Sequence, residues 1–370
     1  MEFRFPAVIF HDESTVTLKV AGLTLLDRLV VTAHRAGCSP LIVVSKHPVV
    51  GLKRTTALGI PIEWQQMPPV LPGRKLMAYT SLLVSSQDIR ALLEQPKDSR
   101  LNDNLGNPLP IGMISDSVYS LELDVRSVPT IQPQSVARHI LNTRDARSAE
   151  TALWNSLKSG SDGLVDRQLN RPCGRPLSRC LAPTFVSPNA VSIASVLIGL
   201  VAACFFATGN HAHAILAAIL FQVSAIVDCV DGDIARAVFK ESASGKWIDL
   251  VGDQVVHIAV FAGIAFGLAS RSPQSPALWL GVSAIAGAVL SFAVILRGMF
   301  RKSSTPNGRL QKLIDAATNR DFSVLVLILA FANRLEWFLW LTAIGSHAFW
   351  ISALLIQNLG SQPVSEGRQQ

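Results

Sequence analysis

The chain has 370 residues, 49% of them hydrophobic, a mean hydropathy of +0.36 and a formal charge of +7. So apolar a chain is not an intrinsically disordered one, and the modest charge, without an aromatic–basic platform or a reader motif, argues against nucleic-acid binding. Cys38, Cys173, Cys180, Cys204 and Cys229 have no metal-ligand spacing and suggest no disulfide framework, which fits a reduced cytoplasmic face.

Residues 1–150 read as a soluble α/β domain. MEFRFPAVIF has neither a long apolar core nor a cleavage site, so a signal peptide is not expected. Ala7–Phe10 predicts a first strand. Gly22–Gly37 has helical apolar spacing and ends on glycine, a common C-cap. Leu41–Ser45 and Ile60–Trp64 predict strands, Met77–Val84 another, and Gln87–Glu94 a helix. Strands alternating with helices predict a parallel sheet with crossover helices. Lys97–Pro110, rich in Asp, Asn, Gly and Pro, predicts a loop. His11, Asp12 and Glu13 read as a solvated loop rather than a site.

Residues 134–163 predict a polar helical connection between the domains, and 151–184 are read as a linker and interfacial basic segment. In Leu164–Pro183, arginines recur every four residues at Arg167, Arg171, Arg175 and Arg179. On a helix they form one basic stripe, suited to anionic headgroups or to plain solvent. The prolines argue against one unbroken helix.

Apolar residues concentrate after residue 185. Six stretches predict membrane helices, near 188–208, 211–230, 250–270, 276–297, 321–333 and 335–357. Basic residues favour one side: the four arginines before the first span, Arg236, Lys240 and Lys246 after the second, and Arg297, Arg301, Lys302, Arg309, Lys312 and Arg320 after the fourth. The positive-inside rule therefore puts both termini in the cytoplasm. The fold expected is a six-helix membrane domain over 185–360 behind a soluble α/β domain.

Between the second and third spans runs DCVDGDIARAVFKESASGKWIDLVGD. Asp228 and Asp231 are three residues apart, Asp249 and Asp253 four apart, so each pair shares a helix face. Carboxylates beside apolar segments are costly unless a cation or basic partner offsets them. Oxygen ligands suit Mg²⁺, Mn²⁺ or Ca²⁺, while Gly232 and Gly245 allow close backbone approach and Arg236 can fork onto phosphate. Acids that cap helix ends or meet basic partners are the alternative.

The order Asp-x-x-Asp-Gly-x-x-Ala-Arg, then eight residues, then Gly-x-x-x-Asp-x-x-x-Asp resembles the signature of the CDP-alcohol phosphotransferases. Asp228, Asp231, Gly232, Ala235, Arg236, Gly245, Asp249 and Asp253 carry it. DRQLNRP, from Asp166, and the region RDFSVLVLILAFANRLEWFLWL resemble the branch that makes di-myo-inositol phosphate phosphate. In the first half, GLTLLDRLVVTAHRAGC followed by PLIVVS resembles the sugar nucleotidyltransferase fold. The loop His11–Val20 lacks that family's glycines and Ala78–Ser86 lacks its metal-binding acid. Lys19 would be a remnant of a phosphate contact; without those glycines and that acid, the domain is expected either to be catalytically silent or not to be of that family.

The resemblance implies transfer of a phospho-alcohol from a CDP-alcohol to the hydroxyl of a second alcohol or polyol phosphate, with release of CMP. Asp228, Asp231, Asp249 and Asp253 would hold Mg²⁺ or Mn²⁺, two ions about 4 Å apart by two-metal logic. Asp253 would also act as general base. Gly232, Ala235, Arg236 and Gly245 would contact the donor. Asn189, in Ser187-Pro188-Asn189, resembles part of a Thr-Pro-Asn motif of the superfamily, although Pro188 equally serves as a helix start. Arg297 and Arg301 are either an acceptor-phosphate site or a topology flank. The superfamily commonly forms homodimers in membrane lipid. A CDP-diacylglycerol-dependent phospholipid synthase is the alternative within this chemistry; a non-catalytic scaffold or transporter is the alternative outside it.

Overall fold

The computed structural model describes residues 5–47, 49, 51–115, 128–157, 163–300 and 322–359. They divide into two compact units. The first comprises residues up to Leu157 with Arg179–Phe185 and Arg236–Phe239; the second comprises the rest.

The first unit is built on a seven-stranded sheet. Its strands are β1 (Ala7–Phe10), β4 (Leu41–Val44), β5 (Glu63–Gln65), β6 (Lys75–Tyr79), β8 (Ser99–Asn102), β9 (Pro108–Ile114) and β10 (Thr130–Ile131). The order is β10-β8-β9-β6-β1-β4-β5. Strand β1 pairs in parallel with β4 and β6, from Ala7 opposite Leu41 and Leu76. Two short ribbons accompany it: β2 (Lys19–Val20) with β3 (Leu23–Thr24), and β7 (Leu82–Leu83) with β11 (Arg138–His139). The helices are α1 (Leu25–Ala36), α2 (Lys53–Ala57), α3 (Ser86–Leu93) and α4 (Thr143–Ser156).

Helix α1 starts where Thr24 Oγ1 accepts the Asp27 N–H and ends on Gly37 at φ 103°, a left-handed C-cap that glycine adopts without a Cβ penalty. Ala7, Ile9, Leu29, Val30, Val43, Leu76 and Ala78 pack the core between α1 and the sheet. Cys38 belongs to that core; burial pushes its thiol up to about 12, so it behaves as a small apolar side chain.

Three expectations for this half need correction. The sheet is mixed, because β9 runs antiparallel to both β6 and β8. Lys97–Pro110 is not a loop: it holds β8 and the start of β9. The turn residues are confined to its tip, where the Asp103 carboxylate accepts the Leu105 and Asn107 N–H groups at 2.8 Å and Gly106 takes φ 91°. Ser99, Arg100 and Asn102 are polar yet buried, so composition disguised the strand. The segment expected as one strand over Met77–Val84 is split into β6 and β7. Between them, Thr80 Oγ1 accepts the Asp12 N–H at 3.0 Å. Asp12 in turn accepts from the Ser14 N–H and hydroxyl, so the His11–Glu13 loop spends its polarity on its own turn.

Residues Arg236–Phe239 fold with this unit. Buried Arg28 donates to the carbonyls of Val20 and Ala237 at 2.9 and 2.8 Å, and Arg54 Nε to that of Phe239 at 2.9 Å. The guanidinium groups of Arg28 and Arg35 lie 5.2 and 4.9 Å from the Phe239 ring centroid. Burial pulls Arg28 down to about 10, which still leaves it charged at neutral pH.

The second unit is helical. A continuous helical stretch begins at Leu164. It passes through a π-helical turn, Asp166–Asn170, and continues as α5, Arg171–Leu181. The Arg171 N–H bonds to the Asp166 carbonyl five residues back. Pro172 follows at once, where its ring excludes a regular i−4 bond, and the widened turn accommodates it. The helix also runs through Pro176, contrary to the expected break.

Then come α6 (Pro188–Ala207), α7 (His211–Ala237), α8 (Ala243–Arg271), α9 (Ala277–Phe300), α10 (Phe322–Phe331) and α11 (Leu335–Leu359). Five of these, all but α10, are long and apolar enough to cross a membrane. At 1.5 Å per residue, the ten residues of α10 reach about 15 Å, half of a hydrocarbon core. The expected break at Asn333-Arg334 is present: Asn333 takes φ 56° and its side chain accepts from Arg271 at 2.9 Å.

Helices α6 and α8 approach through glycine. A Cβ on Gly267 would stand 2.1 Å from the Phe206 carbonyl oxygen, and one on Gly263 2.3 Å from that of Ala203. Backbone cannot yield as a side-chain tip does, so the helices would have to separate. Gly267→Val is therefore expected to abolish the monodisperse peak of detergent-extracted protein in size-exclusion chromatography. A wild-type elution profile would show that the helices tolerate separation.

Candidate metal and phosphotransfer site

Helix α7 carries Asp228 and Asp231 near its end, and α8 carries Asp249 and Asp253 near its start. Ser242 caps α8 by accepting the Gly245 N–H at 3.0 Å, which sets where the second pair begins. Apolar positions such as Phe221, Ala225, Val256 and Val260 are buried along the two helices, so packing fixes the faces the acids present.

One carboxylate oxygen from each of Asp228, Asp249 and Asp253 lies within 4.8 Å of the other two. Three carboxylates this close repel one another unless a cation joins them, and the all-oxygen donor set fits a hard divalent ion. Asp231 stands beside them, 7% exposed, with its Oδ2 accepting from the Ser192 hydroxyl. Ser195 donates to Asp228 Oδ1 at 3.2 Å and to the Ser192 carbonyl at 2.8 Å. Two serines of α6 thus orient the α7 pair. Their sequence signal was a pair of hydroxyls three residues apart inside an apolar span, which places them on one helix face.

Gly245 and Asn189 also converge. A Cβ on Gly245 would sit 2.9 Å from Asn189 Oδ1 and 2.9 Å from Ser242 Oγ, so a larger residue would make these two side-chain tips shift. Pro188 occupies the first turn of α6 behind the Ser187 cap. Gly232, Ala235 and Arg236 lie half-buried on the last two turns of α7.

Arg297 is exposed on the last turn of α9, and Arg301 lies outside the described residues. His257, one turn after Asp253, is a packed ring, edge-on to Phe322 at 4.9 Å and stacked on Phe261 at 6.4 Å. The basic stripe expected over Arg167–Arg179 is not one face. The π turn breaks the four-residue period between Arg167, which is exposed, and Arg171, which turns inward to Asp233; Arg179 is exposed two turns further along.

The sequence model of the CDP-alcohol phosphatidyltransferase family matches residues 185–355. A bifunctional IPC transferase and DIPP synthase of Archaeoglobus fulgidus is 29% identical over 208 residues, 53% of this chain and 39% of that one. The Rubrobacter xylanophilus protein of the same name is 33% identical over 147 residues, 40% of this chain and 32% of its own. The chain thus spans well under half the length of these relatives. The archaetidylinositol phosphate synthase of Pyrococcus horikoshii is 35% identical over 91 residues, 25% of this chain and 47% of that one. Among solved structures, Mycobacterium tuberculosis phosphatidylinositol phosphate synthase aligns over 52% of this chain and all of its own, at 17% identity and a TM-score of 0.38. Residues 185–355, the stretch that holds Asp228, Asp231, Asp249 and Asp253, are thus similar to the CDP-alcohol phosphatidyltransferase family.

Proposed function

We propose that the protein transfers a phospho-alcohol group from a CDP-alcohol to the hydroxyl of a second alcohol, releasing CMP and forming a phosphodiester. The observation that carries this is the approach of Asp228, Asp249 and Asp253 to within 4.8 Å, on the two helices that hold the matched signature. Asp228, Asp231 and Asp249 would hold Mg²⁺ or Mn²⁺, with Asp253 completing a set for two ions. Bound there, the cations would neutralise charge building on the donor diphosphate. Asp253 takes the proton of the attacking hydroxyl, whose oxygen forms the new bond to phosphorus as the bond to CMP breaks.

Gly232, Ala235 and Gly245 leave room for the nucleotide, Asn189 donates toward it, and Arg236 offsets its phosphates. Arg297 and Arg301 receive the phosphate of a polyol-phosphate acceptor. The relatives named for IPC transfer and DIPP synthesis support an inositol-type product. The domain works in the cytoplasmic membrane, with α10 as a short sixth crossing, active site and both termini cytoplasmic, and two copies paired in the lipid. Residues 1–150 serve as a silent nucleotidyltransferase-like domain ahead of the linker 151–184 and the membrane domain 185–360.

A specific feature favours a second reading. Between α6 and α8 lies an apolar cleft of about 400 Å³, lined by Ile193, Val196, Leu197, Trp247, Ile248, Val251 and Gly252. It borders the α8 acids along the chain and suits an acyl chain, as a CDP-diacylglycerol-dependent synthase would need.

The test is CMP release by purified protein with Mg²⁺ or Mn²⁺, offered CDP-inositol or CDP-diacylglycerol, each with inositol phosphate, glycerol phosphate or no acceptor. Release that needs CDP-inositol and a soluble acceptor is the expected result. Release that needs CDP-diacylglycerol moves the protein to phospholipid synthesis. No release from any pair by protein that binds Mn²⁺ favours a scaffold or transporter.

A further inference from the structure

A second polar cluster lies on α7, away from the acids that face the cation site. Arg171 and Asp233 form an ion pair with side chains only 7% and 2% exposed. One residue earlier, fully buried Asn170 accepts from Gln222 Nε2 at 2.6 Å and donates to Asp166 Oδ1 at 2.7 Å. Cys229, next to Asp228, points its thiol at that same Asp166 oxygen, 3.8 Å away. One turn on, a Cβ on Gly174 would stand 3.2 Å from the Ile226 carbonyl oxygen and 3.1 Å from Val230, so the backbone of α5 lies close against α7.

The positions touched on α7 are Gln222, Ile226, Cys229, Val230 and Asp233. At about 100° per residue they fall in one stripe centred near Ile226 and Asp233. Asp231 lies about 160° around the helix from that stripe and Asp228 about 140°. The DRQLNRP segment therefore grips the back of the helix whose front carries two of the four site acids. Two buried polar links, at Gln222 and Asp233, are three turns apart. Together they resist rotation of α7 about its axis, as a single link would not. Charge buried in an apolar helix bundle is retained only at a cost, and it marks a functional position when its partner is specific.

We propose that Arg171 and Asp233 are positioning residues: their ion pair, with the Asn170–Gln222 contact, sets the rotation of α7 and so aims Asp228 and Asp231 at the cation site. This rests on the metal-dependent reading above. Asp233 lies two residues from Asp231 and would pass for a fifth ligand by sequence alone. Its pairing with Arg171 on the far face gives it this other role.

The experiment measures Mn²⁺ binding directly, by the electron paramagnetic resonance signal of free Mn²⁺, on full-length protein in detergent, with thermal unfolding in parallel. Arg171→Gln and Asp233→Asn are each expected to raise the Mn²⁺ Kd at least tenfold, and the double variant no further, because the two act as one link. Should a single variant fail to yield folded protein, Arg171→Met/Asp233→Leu, which leaves no unpaired charge, decides by the same readout. A lowered melting temperature with Mn²⁺ Kd unchanged in folded protein overturns the proposal, since a merely structural pair behaves that way. A loss confined to Asp233→Asn also overturns it, by making Asp233 a ligand. Wild-type protein that binds no Mn²⁺ would instead overturn the metal-dependent reading and this proposal with it.

Discussion

Asp253→Asn is expected to lower CMP release by about 100- to 10,000-fold, the range that a positioned general base supplies. The carboxamide keeps the shape and one oxygen at the place where Asp253 meets Asp228 and Asp249, so the helices should pack and the cation should still bind, more weakly. What is lost is the basicity needed to take a proton from the attacking hydroxyl. Turnover measured across a Mn²⁺ titration separates the two roles. Activity that stays low at saturating Mn²⁺ assigns the proton transfer to Asp253. Full recovery at high Mn²⁺ would reduce it to a ligand.

Asp249→Ala should behave in the opposite way. Removing one of three carboxylates that stand within 4.8 Å of one another takes away a direct ligand, with no amide oxygen left in its place. Outer-shell partners alone are worth about 10- to 100-fold in metal affinity, so loss of a direct ligand should raise the Mn²⁺ Kd by at least that much. The same site explains an expected loss of wild-type activity on chelation, restored by Mg²⁺ or Mn²⁺. Isothermal titration with Mn²⁺ checks the variant directly. An unchanged Kd would place the cation elsewhere, or show that Asp228 and Asp253 suffice to hold it.

The acids were legible because their chemistry is punctuated: four aspartates at helical spacing between apolar runs leave little choice of face. Five of the six expected spans were equally plain, with α6 running Pro188–Ala207 where the apolar stretch begins near 188, since apolar length needs no partner to be read. Contacts between helices were hidden. Ser192 and Ser195 are ordinary serines until α6 lies against α7 and their hydroxyls reach Asp231 and Asp228. Asp233 occupies a variable position inside the signature, between Gly232 and Ala235, and its burial against Arg171 is a product of packing. In the α/β half, β1 and α1 announced themselves by periodicity. The β8–β9 hairpin did not, because its buried strand residues Ser99, Arg100 and Asn102 are polar. The predicted four-residue rhythm of arginines failed at its first interval, Arg167 to Arg171, because of a local change in helical repeat.

That change has a consequence at the level of the gene. The π turn Asp166–Asn170 holds one residue more than an α turn would use, and the bond from Arg171 to the Asp166 carbonyl spans it. Losing a single codon there, in frame, would let the turn relax to the regular repeat while the stretches on either side keep nearly their present phase, because the widened turn and a regular one each complete about one turn of helix. The change would be local: Asp166 and Asn170 would no longer stand at the spacing that now joins their side chains. An alignment gap of one residue in this turn would therefore mark a lineage in which that hydrogen bond is replaced.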